Sequence, residues 1–396
     1  MPVLSITGAL SPLLAMDVLI YGDTQTSATM RHEVPLSIGD PFLYLEADGR
    51  RVVLTSTLEE SRLADRVSDL ECLLIDALGW DELRDEERSR AEIERELCLR
   101  AALSLRIDEA VIPPEFPVYL ADYLRGAGVR LNPDEALFDE RRRHKTAAEM
   151  AGIRRAAGVA VEAMGVAATM LREASIEGDG LYLAGELLTA ERVRSSIRET
   201  CARAGAPAPA EIMVVASGPT GPIGHQEGHG PLPAHTPIEV DLWPQDEASG
   251  CWADMTRTFV RGTISDQVAE IHAIALEAHE RACDGAVPGV TGTELHGLAC
   301  DVFERAGYPT QRTKKHGQPL REGFYYALGH GVGLQVHEPP LLGRGEREPL
   351  IEGDVIAIEP GIFHPGVGGT RVEDLVLVSS DGLERLTGAF PYDLIP

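Results

Sequence analysis

The sequence predicts an α/β chain in which a small N-terminal domain precedes a larger domain built from two similar halves. Three observations support this prediction. Short apolar runs alternate with helical stretches in the first part of the chain. A dense charged block, DERRRHK at residues 139–145, then interrupts the pattern. After that block the order helix, helix, hairpin occurs twice, which suggests a pseudo-twofold α/β domain.

The first domain is predicted to span residues 1–144. The segments PFLYLEADG and RRVVLTST indicate a β-hairpin that turns near Asp48 and Gly49. Mixed helix and strand follow, and this region contains no cluster of catalytic residue types. We interpret the charged block at its end as a solvated linker or helix start. The second domain would then cover residues 145–396.

The second domain is predicted to contain four helices and two hairpins. The helices are expected to begin at Thr146, to cover 183–204 and 266–283, and to open at Thr291 with a capping box. The segment IEVDLWPQDEASGCWADMTRTFV indicates the first hairpin, and DVIAIEPGIFHPGVGGTRVEDLVLV the second. We expect the two hairpins to form one sheet.

The charge balance excludes two classes of partner. The 396 residues include 36 Lys and Arg against 63 Asp and Glu, which gives a net charge of −27. A chain this acidic repels the phosphates of nucleic acids and the surface of anionic membranes. We therefore expect neither a nucleic-acid partner nor a membrane partner.

The cysteines and the N-terminus indicate a cytoplasmic protein. The six cysteines form no CxxC pair, and in a chain of this length they are expected to be buried, reduced thiols. No Lys or Arg precedes Arg31, and Asp17 interrupts the first apolar stretch, which argues against a signal peptide. No uncharged apolar run is long enough to span a bilayer.

Each hairpin presents a pair of acidic residues. If the first hairpin turns midway between Asp241 and Asp254, these two residues face each other across the strands. Glu359 and Glu373 are likewise equidistant from Gly366 in the second hairpin. Their flanking segments are largely apolar, so each pair of acids is expected on one face in apolar surroundings.

Opposed acids in apolar surroundings need positive charge between them. Arg257 or Arg371 could neutralise one pair, but two divalent cations would neutralise all four carboxylates. Histidines lie nearby, with His330 and His337 in GHGVGLQVHEPP and His225 in ASGPTGPIGHQEGHG. Mixed carboxylate and imidazole ligands suit manganese, cobalt, iron or zinc better than calcium. The residues alone therefore predict a dinuclear metal hydrolase.

The same segments resemble a known family. VDLW, ADMTRTF, LGHGVGLQVHEPP, IEPGIF and TRVEDLVLV look like the signature of the pita-bread metallopeptidases, and the resemblance runs from about His144 to the C-terminus. That family includes methionine aminopeptidase, Xaa-Pro dipeptidase (prolidase), aminopeptidase P and the metal-free creatinase. The first domain resembles, more weakly, the creatinase/prolidase N-terminal domain. Methionine aminopeptidases generally lack that domain, so its presence favours the Xaa-Pro branch.

The resemblance implies a set of metal ligands. Asp241 would bind one metal ion, Asp254 and Glu373 would bridge both, and His330 and Glu359 would complete the other. A metal-bridging water or hydroxide would be the nucleophile, and Glu359 would transfer the proton. Manganese is the expected ion, with cobalt, zinc and iron as alternatives.

The resemblance also implies residues that act without binding metal. His225 and His337 match two catalytic histidines that contact the substrate, and His337 would help to stabilise the developing oxyanion. Arg371 and Tyr326 are candidate substrate-binding residues. Arg371 could alternatively pair with an acid such as Asp374, and Tyr326 stands where Xaa-Pro members often carry a histidine.

The predicted activity is hydrolysis of the Xaa-Pro bond in dipeptides or at the N-terminus of short peptides. The resemblance also implies a homodimer, and the expected location is the cytoplasm.

 

These motifs do not separate a dipeptidase from an aminopeptidase P. A non-peptidase enzyme on the same scaffold, such as a metal-dependent lyase or a creatinase-like hydrolase acting on a small molecule, is the alternative. A non-catalytic binding module is the third reading, although all five metal ligands are present in the sequence.

Overall fold

The structure is a computed structural model that describes residues 16–216 and 226–396. The chain divides after Glu140 into two compact units. The boundary predicted at residue 144 stays a prediction. All six cysteines are free thiols. Within the described ranges, no helix combines the length and the apolar character that crossing a bilayer requires.

The first unit is built on one six-stranded sheet with the strand order β4-β3-β2-β1-β5-β6. Strands β1, β2 and β3 are antiparallel neighbours, and the outer pairs are parallel. The predicted hairpin is confirmed, because Ala47 pairs with Arg50 and both Asp48 and Gly49 adopt positive φ angles. The strands are β1 (Val18–Gly22), β2 (Phe42–Ala47), β3 (Arg50–Thr55), β4 (Leu70–Leu74), β5 (Glu109–Ile112) and β6 (Arg130–Pro133). The helices are α1 (Ala28–Glu33), α2 (Thr57–Arg66), α3 (Trp80–Asp85), α4 (Arg90–Ser104), α5 (Val118–Gly126) and α6 (Glu135–Arg143), the last of which runs past the division.

Among the residues that the structure describes, the second unit contains four long helices and several short sheets. The helices are α7 (Ala147–Glu173), α8 (Ala190–Arg203), α9 (Asp266–Gly285) and α10 (Gly292–Arg305). The strands up to the first hairpin are β7 (Ser175–Glu177), β8 (Gly180–Leu183), β9 (Glu186–Leu187), β10 (Met213–Ala216), β11 (Pro237–Leu242) and β12 (Met255–Val260). The later strands are β13 (Gly329–Gly331), β14 (Glu338–Leu342), β15 (Val355–Ile358), β16 (Gly361–His364), β17 (Gly368–Arg371), β18 (Asp374–Ser379) and β19 (Gly382–Arg385).

Local sequence signals account for most of the helix boundaries. Capping boxes at Thr146 and Thr291 open α7 and α10, as predicted. The prediction that the second helix begins at residue 183 is wrong. Ala184 and Gly185 adopt positive φ angles in the turn between β8 and β9, and the helix begins only after its N-cap, Thr189.

The charged block at 139–145 is not the solvated linker that we predicted. Its first half is the end of α6, and its second half contains buried ion pairs. Arg143 is only 5% exposed and binds Asp354 through two hydrogen bonds of 3.0 and 2.6 Å. The buried side chain of Lys145 lies 2.6 Å from Glu338. Paired in this way, cations tolerate burial that composition alone would not predict.

The first hairpin turns later than the sequence suggested. Asp241 pairs with Thr256, so the predicted pairing of Asp241 with Asp254 is wrong by two residues. The cause is the loop, in which the Asp246 N–H donates to the carbonyl of Cys251 and the Asp246 carboxylate accepts from Ser249. A shift of two residues keeps every side chain on its predicted face, so the acids stay on one side of the hairpin.

The second hairpin has the predicted register. Ile358 pairs with Asp374 in one ladder and Gly361 with Arg371 in the next, which leaves Glu359 and Glu373 at opposite positions between the two ladders. The expectation that both hairpins form one sheet is wrong. Strands β10–β12 form a separate sheet from β14-β13-β15-β18-β19 and from β16-β17.

The two pairs of helices pack against two separate apolar clusters. One cluster joins α7 and α8 to the sheet of the first hairpin, with Ile153, Val193 and Val240 among its members. The other joins α9 and α10 to the sheet that contains β15 and β18, with Leu295 and Val376 among its members. Helix, helix and hairpin therefore recur in both halves, and the polar faces of the two hairpins are left for the site.

Candidate metal centre

The first hairpin places acids on one face by simple strand alternation. Glu239 and Asp241 are two residues apart on β11 and so point to the same side. They lie opposite Thr258 and Thr256 of β12. Asp254 directly precedes β12, and its carboxylate accepts a 3.0 Å hydrogen bond from the N–H of Met255. All three acids are buried.

His330 lies in β13, which is enclosed by β14 on one side and β15 on the other. Its neighbours must be glycines because the backbones approach closely. A Cβ atom at Gly329 would lie 1.9 Å from the carbonyl oxygen of Ala357, and one at Gly331 would lie 2.4 Å from that of Pro339. The His330 ring is oriented by its Nδ1 atom, which lies 3.1 Å from the carbonyl oxygen of Gly331.

These elements converge on a cavity of about 330 Å³. The Nε2 atom of His330 lies 3.8 Å from Asp254 and 3.7 Å from Glu359. One ligand atom each from Asp254, His330 and Glu373 lie within 4.8 Å of one another. The cavity is lined by Glu211, Met213, Glu227, Asp241, Trp243, Asp254, His330, Val336, His337, Glu359, Arg371 and Glu373.

The structure therefore brings together the five residues predicted as metal ligands. It also places His337 in the cavity, with its ring centroid 4.2 Å from that of His330. Arg371 lines the cavity as well. His225 lies outside the described residues. Tyr326 is not among the lining residues; its hydroxyl donates a 3.1 Å hydrogen bond to the carbonyl oxygen of Glu359.

Arg371 is the cation that the acids share. Its guanidinium lies 3.0 Å from Glu239 and 3.2 Å from Glu359, and it also donates to Asp241. Arg371 thus pairs with acids, as the alternative prediction for this residue stated, but not with the suggested Asp374, which binds Arg257 instead. Side chains alternate sides along an extended chain, so two residues three positions apart, such as Arg371 and Asp374, point to opposite sides.

Burial and mutual repulsion raise the pKa values of the acids. Burial, with the neighbouring acids, raises the pKa of Asp254 and of Glu373 well above the ordinary range of carboxyl groups. Burial raises the pKa of Glu359 to about 7, although Arg371 opposes the shift. Burial and the adjacent His337 lower the pKa of His330 to about 4, which keeps its imidazole neutral and able to bind a metal.

The charges and the unpaired atoms fit divalent cations. Five acids cluster around Arg371: Glu239, Asp241, Asp254 and Glu373 are buried, Glu359 is partly buried, and the guanidinium contacts Glu239, Asp241 and Glu359. Within the described residues, one carboxylate oxygen of Glu239 and one of Asp241 accept no hydrogen bond although both are buried. Carboxylate oxygens and a neutral imidazole are suitable ligands for a transition metal, and two divalent ions would balance the four excess negative charges.

Sequence reasoning missed several residues of this site. Glu239 binds Arg371, and the Thr256 hydroxyl donates a 2.6 Å hydrogen bond to Glu373. Both could have been found from strand alternation, because each lies two residues from a predicted ligand. Glu211 and Glu227 line the cavity from outside the hairpins, and no spacing signal points to them.

Comparison with known proteins identifies the family. The profile of metallopeptidase family M24 matches residues 151–380, more than half of the chain. The Xaa-Pro dipeptidase of Pyrococcus furiosus is 42% identical over 135 residues, which cover 34% of this chain and 35% of that protein. The Xaa-Pro dipeptidase of Lactobacillus helveticus is 39% identical over 138 residues, 35% of this chain and 34% of that protein. The matched segment thus spans about a third of each of these relatives.

Solved structures show the same fold over nearly the whole chain. The Xaa-Pro dipeptidase from Bacillus anthracis superimposes with a TM-score of 0.76 at 23% identity and covers 96% of this chain and 94% of its own. The X-Pro aminopeptidase from Thermotoga maritima gives a TM-score of 0.76 at 22% identity over 95% and 96% of the two chains. The predicted fold class, with its pita-bread second domain, is confirmed by these likenesses. The chain belongs to metallopeptidase family M24.

Proposed function

We propose that the protein hydrolyses the Xaa-Pro bond of dipeptides or of short peptides with proline in the second position. The observation that carries this proposal is the buried cluster of Asp254, His330 and Glu373, whose ligand atoms lie within 4.8 Å of one another in the cavity. The match to family M24 and the Xaa-Pro dipeptidases among the relatives support the same activity.

Five side chains would hold two divalent ions in this proposal: Asp241, Asp254, His330, Glu359 and Glu373. When bound, the ions would supply a water-derived nucleophile at neutral pH and polarise the scissile carbonyl. Glu239 and Arg371 would remain as an ion pair behind the ligands, at 3.0 Å. Thr256 would keep the Glu373 carboxylate oriented through its 2.6 Å hydrogen bond.

The remaining residues would handle the proton and the substrate. The leaving group of an Xaa-Pro bond is the proline nitrogen, which must gain a proton before it can depart as an amine. Glu359 would carry that proton, since it lines the cavity and its position is fixed by Arg371 and by the hydroxyl of Tyr326 on its carbonyl oxygen. His337 would face the developing oxyanion, and His225 would contact the substrate.

Apolar side chains in the cavity suit a proline ring. Met213, Trp243 and Val336 line it beside the acids. Proline has no backbone N–H, so a site that accepts it must recognise shape and the ends of the peptide instead. In this proposal Arg371 acts on the substrate only through the acids that it binds, and Tyr326 only through Glu359.

Manganese as the preferred ion, a homodimer and a cytoplasmic location are parts of the same proposal. Cobalt, zinc and iron are the alternative ions. Metal analysis of protein purified without added metal, together with light scattering of the same sample, would test the ion and the oligomeric state.

The deciding experiment compares Ala-Pro with Ala-Pro-Ala, each with added Mn²⁺ and again after chelation. Cleavage of the dipeptide alone that depends on metal would identify a dipeptidase, and cleavage of the tripeptide an aminopeptidase P. His337→Ala should lower turnover much more than it lowers metal content. Two bound metals without cleavage of either peptide would contradict the proposal and favour a non-peptidase enzyme, and a protein that binds no metal would favour a binding module.

A further inference from the structure

A second polar cluster, most of it buried, lies behind the metal centre. It consists of Arg257, Asp374, His279 and Tyr392, and it is defined here as the rear cluster. Arg257 is 1% exposed and Asp374 is fully buried. Neither residue lines the cavity, and the proposed reaction does not use them.

The guanidinium of Arg257 has five N–H groups, and the structure supplies an acceptor for each. Its Nη1 atom donates to the carbonyl oxygens of Glu373 and Thr256, at 2.6 and 2.9 Å. Its Nη2 atom donates to the carboxylate of Asp374 at 2.9 Å and to the carbonyl oxygen of Phe390 at 3.2 Å. Its Nε atom donates to the carbonyl oxygen at residue 391 at 3.0 Å. A fully satisfied buried guanidinium is rigid, because any movement would leave a donor unpaired.

Asp374 holds the guanidinium from the other side. It accepts hydrogen bonds from the hydroxyls of Thr387 and Tyr392 as well as from Arg257. The Nε2 atom of His279 in α9 lies 3.4 Å from the same carboxylate. The ring of Tyr392 also lies under the guanidinium, with its centroid 4.5 Å from the central carbon atom. The rear cluster therefore ties the hairpins to α9 and to the C-terminal segment.

Three of the five acceptors of Arg257 lie on the two segments that present the central acids. Thr256 is two residues after Asp254, and the carbonyl oxygen that Arg257 binds at 2.6 Å belongs to Glu373 itself. The two segments also meet through the N–H of Glu373, which donates to the carbonyl oxygen of Thr256 at 3.2 Å, through the Thr256 hydroxyl, and through two hydrogen bonds of 3.0 Å between the Thr258 hydroxyl and the backbone of Arg371. Asp254 and Glu373 repel each other, so a fixed connection behind them opposes their separation.

We propose that Arg257 is a positioning residue for the metal centre, because it holds the strand after Asp254 against the segment that carries Glu373. This inference rests on the metal site of the proposed function. Groups that orient metal ligands without touching the metal typically change metal affinity about 10–100-fold when they are removed. A purely structural role would instead lower thermal stability and leave metal affinity unchanged.

The test is a calorimetric titration of metal-free protein with Mn²⁺. The wild type is compared with Arg257→Lys, which keeps the charge but loses the planar five-donor fork. We expect the Mn²⁺ dissociation constant to rise about 10–100-fold. We also expect kcat to recover in part at saturating Mn²⁺, with KM for Ala-Pro little changed. Arg154→Gln is the matched control, since Arg154 pairs on the surface with Glu384 and should bind Mn²⁺ like the wild type.

Tyr392→Phe keeps the test open if Arg257→Lys does not fold. It removes only the hydroxyl that donates to Asp374 and leaves the ring beneath the guanidinium. A dissociation constant raised a few-fold would support the proposal. Unchanged Mn²⁺ affinity in a folded Arg257→Lys protein, or in Tyr392→Phe with a lowered melting temperature, would overturn it. A wild type that binds Mn²⁺ but cleaves no Xaa-Pro peptide would refute the proposed function and leave this titration interpretable.

Discussion

At the scale of single residues, the acids of the metal centre hold unfavourable positions when no cation is present. Asp254 has the neutral imidazole of His330 at 3.8 Å, while Glu373, Asp241 and Glu359 repel its carboxylate. Arg371 is already engaged by Glu239, Asp241 and Glu359. Replacing an acid that binds metal but destabilises the metal-free protein should lower activity without lowering the stability of the metal-free protein.

The substitution Asp254→Asn should separate these two effects. Removing one charge from the buried acids should leave the melting temperature of the metal-free protein equal to or above that of the wild type. If Asp254 is the bridging ligand that we propose, its loss should lower Mn²⁺-dependent cleavage of Ala-Pro by at least about 100-fold. Thermal melts in chelator and initial rates with Mn²⁺ measure both effects. Asp381→Asn, in the exposed turn after β18, is the control, and full activity of Asp254→Asn would refute the ligand assignment.

At the scale of elements, the position of His330 depends on how closely three strands approach. Strand β13 pairs with β14 and β15 at once, and Gly329 leaves no room for a side chain against the carbonyl oxygen of Ala357. The metal centre thus depends on backbone packing as well as on its ligands. A methyl group added beside His330 tests this dependence without changing any charge.

We expect Gly329→Ala to lower the free energy of unfolding by about 1–3 kcal/mol through overpacking, and to reduce activity because His330 moves with its strand. Gly343→Ala is the matched control. The nearest atom to a Cβ at Gly343 would be 3.5 Å away, an ordinary contact, so its stability should stay within about 0.5 kcal/mol of the wild type. Denaturant titrations and initial rates provide the comparison. Equal stability of the two variants would show that β13 can shift to admit the extra atom.

At the scale of the whole molecule, the buried acids and the buried histidines give opposite pH dependences. Burial lowers the pKa values of four histidines: His330, His279 and His296 to about 4, and His272 in the same direction. Below their ordinary pKa the unfolded chain binds protons that the folded chain does not, so stability rises with pH up to about 6.5. Glu359 acts in the other direction, because its pKa is raised to about 7.

The metal-free protein should therefore be most stable near pH 6.5, where the gain from the histidines ends, and should lose stability up to about pH 7, where the loss from Glu359 ends. Between the ordinary pKa of a glutamic acid and pH 7, the folded protein keeps a proton on Glu359 that the unfolded chain has released, so unfolding becomes easier as pH rises. Thermal melts from pH 5 to 8 in chelator should show this decline, and Glu359→Gln should reduce it. Saturating Mn²⁺ should remove the decline, because bound cations favour the ionised acids. A metal-free melting temperature that still increases between pH 6.5 and 8 would contradict this account.

Local sequence patterns were enough to predict a large part of this molecule. The capping boxes at Thr146 and Thr291, the register of the second hairpin and the side of the first hairpin on which its acids lie all follow from short-range rules. The residues predicted as ligands line one cavity because strand alternation survives an error of two residues in register. Their chemical roles stay proposals.

Partnerships between distant residues could not be predicted in the same way. The sequence by itself determined the fold class, the family resemblance and the set of acids and histidines, since these depend on periodicity and on motifs within short segments. Only the tertiary structure decided that Arg371 binds Glu239, Asp241 and Glu359, that Arg257 binds Asp374, and that Arg143 is buried against Asp354. An arginine in a sequence can reach many acids, and which acid it meets is decided by how the strands and helices pack.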